Sequence, residues 1–274
     1  MHESPLWAAN EGDLDGAARL LEKVYGIRVT VSPDAETGQR FSEIYSLHNY
    51  LRVFTPPYLK RTLLVSMIGI TQSMEFFAVS FYLPFIILGL FGKEYVSAIS
   101  GSMILAGIVP LGTVMAIALL RTHSMRRLVI LGYGGVLASL LALGLGYGHV
   151  DLAVVTGLIV IFQFAHGFGP GTLGMTMAAM SFPTEIRGAG VGVAQGFLRL
   201  GSIFGFYFFP LIYANFGLGS TLLILAIAPA IGLLTCCLTD WDPSNYNVDL
   251  EEISVIASQR HQGEIVGPGS RDLS

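Results

Sequence analysis

Between residues 62 and 239 the chain runs through six apolar stretches that hold almost no charge. Glu75 is the only charged residue between Arg61 and Lys93, and none lies between Glu94 and Arg121 or between Arg127 and Asp151. His166 is the only titratable group between Asp151 and Glu185, and Arg199 is the lone charge between Arg187 and Asp240. A helix that crosses the hydrocarbon needs roughly 20 mostly apolar residues. Spans are therefore expected at 62–90, 97–120, 128–148, 152–181, 188–214 and 219–239, the last two joined by a turn at Asn215-Phe216-Gly217-Leu218-Gly219. The expected fold class is an all-α membrane protein with six transmembrane helices. Its function is then to be sought in the few polar groups it buries.

Charged residues make up only 12% of the chain, too few for an ordinary soluble domain. The loops on one side of the expected spans carry Lys60, Arg61, Arg121, Arg126, Arg127 and Arg187, and those on the other carry only Lys93. The basic side is read as cytoplasmic, which puts both termini inside a multi-pass protein of the plasma or inner membrane. Residues 1–58 read as a separate cytoplasmic segment. In it Asp13 to Tyr25 forms an amphipathic helix, with Leu14, Ala17, Ala18, Leu21 and Val24 on one face and Gly26 as its stop. Ser4-Pro5 looks like a second helix start, and 30–40 is polar linker. The membrane domain is expected over 59–240. Residues 241–274 read as a cytoplasmic tail, with an acidic helical turn and then a disordered Gly/Pro/Ser-rich end.

Glu75 falls near the middle of the first span with Gln72 three residues earlier on the same face. It is either a cavity-facing proton or substrate group or a protonated carboxyl bonded to a neighbouring helix. Arg199, with Gln195 and Ser202 about a turn to either side, either binds an anionic solute, pairs with Glu75, or holds a cytoplasmic gate. Gln163 and His166 stand at i, i+3 in the fourth span, just before Gly167-Phe168-Gly169-Pro170-Gly171, where the helical ladder is expected to break. Tyr82, Tyr207 and Tyr213 either line a cavity or act as packing and interface anchors. Gly188, Gly192 and Gly196, followed by Gly201 and Gly205, form a small-residue stripe expected to admit a neighbouring helix. Cys236 and Cys237 are adjacent and point apart on a helix, which argues against a disulfide or metal site. No phosphate loop, dinucleotide fingerprint, HExxH or nucleophile elbow is present. No catalytic residue, metal or cofactor is therefore assigned, and no nucleic-acid partner is expected.

Ser181-Phe182-Pro183-Thr184-Glu185-Ile186-Arg187-Gly188, followed by Arg199-Leu200-Gly201, resembles the loop and eleventh helix of major facilitator superfamily transporters. The closest likeness is to the sugar-porter-like and metabolite:proton symporter branches. Glu3-Ser4-Pro5-Leu6-Trp7 is similar to the segment after their sixth helix, and Thr55-Pro56-Pro57-Tyr58-Leu59-Lys60-Arg61 to the approach to their seventh. Gln72 matches a glutamine that often contacts substrate there, and Asp249-Leu250-Glu251-Glu252-Ile253 resembles the tail motif. The loop Arg121 to Arg127 keeps the family's paired arginines, Arg126 and Arg127, and lacks its Asp and Gly; Glu75 stands where relatives often carry glycine.

The resemblance implies the C-terminal six-helix half of a twelve-helix fold, whose partners are lipid, a small solute, protons and a missing N-terminal half. It implies proton-coupled transport, by alternating access, of a small polar organic solute, either an organic acid or a sugar-like metabolite. Gln72, Glu75, Gln163, His166, Gln195 and Arg199 are the candidate substrate residues, with Glu75 as the proton carrier. Arg126, Arg127, Pro183, Glu185, Arg187 and Gly188 form the candidate gate loops. The alternative is an inactive fragment, or a membrane sensor or accessory module that does not transport.

Overall fold

The computed structural model describes residues 8, 13–26, 28–29, 47–91, 95–184 and 186–245. The expected start at Ser4-Pro5, the linker 30–40, Glu185 and the tail motif at 249–253 lie outside these. The chain divides into two compact units, residues 1–53 and 54–274. In the first, α1 (Leu14–Tyr25) begins where the Asp13 carboxylate accepts the Gly16 N–H at 2.7 Å. It ends at Gly26, whose φ of 68° a side chain would resist. Ala17 is buried and Val24 exposed, so the apolar face is only half covered. A short α2 (Leu47–Arg52) follows.

The second unit is built from α3 (Leu59–Phe81), α4 (Leu83–Phe91), α5 (Tyr95–Ala106), α6 (Ile108–Leu119), α7 (Met125–Gly146), α8 (Leu152–Phe168), α9 (Pro170–Met180), α10 (Arg187–Leu225) and α11 (Ile227–Leu238). Five stretches are long and apolar enough to cross a membrane, the fifth covering 52 residues, Arg187–Leu238. That stretch contains two passes. At Gly217 the backbone takes φ 74° and ψ 174°, which only glycine adopts without strain, and the chain turns back. Before the turn, Gly201 and Gly205 abut the carbonyls of Ile70 and Met74, so this leg runs parallel to α3. After it, Gly219 lies against Tyr147 and Leu223 against Gly144, while Arg126 reaches Cys236 and Cys237, so the returning leg runs antiparallel to α7. Large side chains such as Ile104, Leu145 and Leu238 stay more than 70% exposed, as suits contact with lipid and not water.

Most expected spans are bent. Breaks fall at Tyr82, Gly107, Gly169 and Ala226, each one to three residues before a proline: Pro84, Pro110, Pro170 and Pro229. Each proline lacks the N–H that would bond the carbonyl four residues back, and its ring crowds that carbonyl. Only the break at Gly169-Pro170 is expected from the sequence reading above. The glycine stripe also differs in register: a methyl at Gly188, Gly192 or Gly196 would meet no other helix within 4 Å among the described residues, whereas Gly201 and Gly205 carry the contact with α3.

Two apolar clusters fill the bundle. One gathers Leu64, Ile68, Leu128, Val129, Leu173 and Met177, the other Val79, Leu83, Leu140, Ile159, Phe162 and Leu222. Along α3 they are separated by Thr71, Gln72, Ser73 and Glu75, all buried. The bundle thus has a polar layer between two oily ones.

Candidate functional site: a buried polar layer

Glu75 lies 16 residues from either end of the bent run 59–91, about 24 Å of helical rise each way. Its side chain is 0% exposed, and Oε1 lies 3.3 Å from Nδ1 of His166 on α8. The His166 ring stacks on Phe76 at 4.2 Å and 12°, which fixes the plane of the imidazole. One turn back along α8, Gln163 Oε1 accepts from Ser80 Oγ at 3.3 Å. Two polar rungs therefore join antiparallel α3 and α8. Each leaves one atom over: Glu75 Oε2 and Gln163 Nε2 are buried with no hydrogen-bond partner among the described residues. Leaving such groups unpaired costs on the order of 1–3 kcal/mol each, and that cost is tolerated where function needs the group free.

His166 is held at the edge of the α8–α9 break. Pro170 removes the donor for the His166 carbonyl, and a methyl at Gly171 would stand 2.5 Å from His166 Nε2. Glycine at 171 makes room for the ring. Chemically, a carboxyl and an imidazole at this distance can share or exchange one proton without net charge entering the bilayer. The free Glu75 oxygen and Gln163 amide can then bind a hydroxyl once the layer opens.

Of the other sequence candidates, Gln72 is buried on the same helix, Gln195 is half-buried and Arg199 is exposed on α10. Arg199 makes no hydrogen bond or ion pair among the described residues, and Glu75 faces His166, so the Glu75–Arg199 pair, one of the alternatives for Arg199, does not form. Ser202 bonds its own helix at the Leu198 carbonyl. Tyr207 points outward, while Tyr82 stacks on Phe209 at 4.4 Å.

The gate-loop residues gather at the opposite, basic end. Arg126 caps α11, donating to the carbonyls of Cys236 (2.9 Å) and Cys237 (3.0 Å), with Asp240 at 3.0 Å. Asp240 is fully exposed, so the carbonyls hold Arg126 more than that screened pair does. Arg127 and Gly188 are exposed, Pro183 is buried, and Arg187 donates to the Phe182 carbonyl at 3.2 Å. Sequence reasoning missed the centre of this cluster. Buried Arg61 lies 3.7 Å over the Trp241 ring and donates to the Ser181 carbonyl at 3.4 Å, and the Trp241 indole donates to Ser181 Oγ at 2.9 Å. Asp242 accepts from the Arg126 amide and from Ser244. Burial pushes its carboxyl up, but the hydrogen bonds from Ser244, Ser124 and Arg126 outweigh this and hold it below the usual carboxylate range. The one sequence signal was a buried-type Trp just past the last span.

Helical passes around a central polar layer define an integral, multi-pass membrane protein. Its fold is that of the major facilitator transporters: the structure of the proton:xylose symporter XylE of Escherichia coli, bound to 6-bromo-6-deoxy-D-glucose, superposes with a TM-score of 0.67 at 20% identity, covering 92% of this chain and 54% of that one. The chain belongs to the sugar (and other) transporter family, matched over residues 1–256, a family of transporters and not of enzymes. It is 25% identical to the inner membrane metabolite transport protein YgcS of Escherichia coli, across 88% of this chain and 51% of that protein. It is 24% identical to the glucose transporter GlcP of Staphylococcus epidermidis, across 95% and 58%. The chain thus spans about half the length of the curated relatives it matches.

Proposed function

We propose that the chain forms one six-helix half of a secondary transporter that carries a small, polar, sugar-like solute in symport with protons. A second six-helix bundle completes the carrier, and the solute is held between the two halves as they alternate access. The glucose and proton:xylose specificities of the relatives support this substrate class and the coupling. The observation that carries the reading is the mid-membrane Glu75–His166 pair, with its unpartnered Oε2 and the free amide of Gln163. Glu75 takes and releases the proton, His166 holds the carboxyl in place, and Gln72 and Gln163 bind solute hydroxyls. The basic end, with Arg126, Arg127, Pro183, Glu185, Arg187 and Gly188 in its loops, faces the cytoplasm and closes there.

The test is Glu75→Gln in the assembled carrier reconstituted into proteoliposomes, offered labelled glucose, xylose and arabinose. Accumulation driven by a pH gradient is lost while counterflow exchange persists. Wild-type accumulation would remove Glu75 from the coupling role. An acidic solute is the second reading, favoured by the exposed, unpaired Arg199 beside Gln195. In that case Arg199→Lys keeps the charge, loses the planar fork and weakens inhibition of uptake by organic acids and not by sugars.

A further inference from the structure

A cavity lies at the end of the bundle away from the basic loops, beginning at Tyr82, two residues beyond the Ser80–Gln163 rung of the polar layer. It has a volume of about 470 Å³, is partly open, and is lined by Tyr82, Leu88, Tyr147, Phe209, Tyr213 and Leu218 among others. That volume falls within the roughly 300–1,000 Å³ of pockets that bury small molecules. Its wall is built by two helix irregularities. Pro210 has no N–H to give the Phe206 carbonyl, and the Tyr82 hydroxyl donates to that carbonyl instead, at 3.1 Å. This bond sets Tyr82 at the α3–α4 bend flat against Phe209 (4.4 Å, 7°), and Phe209 is in turn parallel to Tyr213 (6.3 Å, 6°). The Gly217 turn brings Leu218 across the floor.

We propose that this cavity is a binding site for a flat, neutral, ring-bearing amphiphile that enters from the membrane. Three observations set that chemistry. The rings of Tyr82, Phe209 and Tyr213 stack into a column that gives this side of the cavity an aromatic surface, on which another ring packs edge-to-face or offset as aromatic groups prefer. No charged side chain is among the described lining residues, so an ionic headgroup would be left uncompensated by them. The hydroxyls of Tyr147 and Tyr213 have no hydrogen-bond partner among the described residues, whereas that of Tyr82 is used internally. A ligand hydroxyl or carbonyl completes them. A flexible acyl chain fits less well, because it forfeits rotamer entropy on ordering. The occupant bridges α4 and α10 across the bend at Tyr82.

The experiment uses the full chain in phosphatidylcholine nanodiscs and benzophenone, a neutral two-ring ketone that inserts into nearby C–H bonds under near-ultraviolet light. Labelling, mapped by peptide mass spectrometry, should saturate and concentrate on residues 82–88 and 209–218. Leu218→Trp or Leu88→Trp, whichever keeps the wild-type melting temperature, fills the cavity and removes the saturable part. Tyr147→Phe with Tyr213→Phe loses two hydrogen bonds and raises the half-saturating concentration roughly tenfold; this variant decides the matter if neither Trp variant folds. Glu75→Gln leaves labelling unchanged. Non-saturable labelling spread equally to outward-facing Ile104 and Leu145 would overturn the site. Displacement by monoolein and not by 2-naphthol would assign the cavity to an acyl chain and overturn the ring-bearing ligand.

Discussion

The central polar layer and the basic end both bury titratable groups, and they treat them in opposite ways. At the basic end nearly every described polar group is satisfied: Arg126 on helix carbonyls, Arg61 on a ring and a carbonyl, Trp241 on Ser181, and Asp242 on donors from three residues. In the central layer Glu75 and Gln163 are each buried completely and each keeps one polar atom unpaired. A satisfied network makes the structure more rigid, and an unsatisfied one costs stability that some other task must justify. On the function proposed above, the difference separates a structural clasp from a working site. Changes at the basic end should therefore be read in stability, and changes in the central layer in transport.

Trp241→Ala should have the largest effect on stability. It removes a buried ring from Arg61 and the donor from Ser181 Oγ, at a cost of about 3 kcal/mol. The melting temperature in detergent should fall by several degrees while proton-to-solute coupling in the assembled carrier stays intact. Loss of coupling at an unchanged melting temperature would put the clasp among the working parts and break the contrast.

Gly171→Ala asks the converse. The new methyl presses on His166 Nε2, and overpacking of this kind costs roughly 1–3 kcal/mol. Because the ring is held between Phe76 and Glu75, its displacement should abolish gradient-driven accumulation with only a modest drop in melting temperature. Normal accumulation would show that the Glu75–His166 distance does not matter to coupling.

The smallest effect concerns pH. The folded Asp242 carboxyl lies below the ordinary value of about 3.9. Its contribution is therefore fully present above that value and is lost as pH falls through the lower folded one. Trp241 fluorescence, followed in a Trp7→Phe background, should be flat from pH 8 to 5 and change only below about pH 4. A transition near neutrality would mean that another group governs the clasp.

Much of this arrangement is legible in the sequence, for a physical reason. An isolated polar residue in an apolar run stands out because lipid cannot solvate it, so Glu75, Gln163, His166 and Arg199 could each be picked singly. Their pairing could not, since it depends on how helices far apart in the chain are rotated against one another. Glu75 meets His166 and not Arg199. The glycine stripe shows the same limit: a helix rich in glycine on several faces does not announce which one meets a neighbour. Arg61, Ser181 and Trp241 were hidden for a different reason, because polar residues at span ends are ordinary. The breaks near Pro84, Pro110 and Pro229 had a readable signal in the prolines themselves, which the long apolar runs obscured.

The turn at Gly217 bears on how the protein enters the membrane. From Gly201 to Thr239 there is no charged side chain, and the Asn215 amide is bonded to the Leu211 carbonyl of its own helix at 2.7 Å. Carrying that turn through the hydrocarbon therefore strips water from almost nothing that holds it tightly. The last two passes can then enter the membrane together, each leg finding its neighbour in the rest of the bundle: the first lies along α3 and the second against α7. Nothing in the turn itself resists that crossing: it is a glycine with no charge around it.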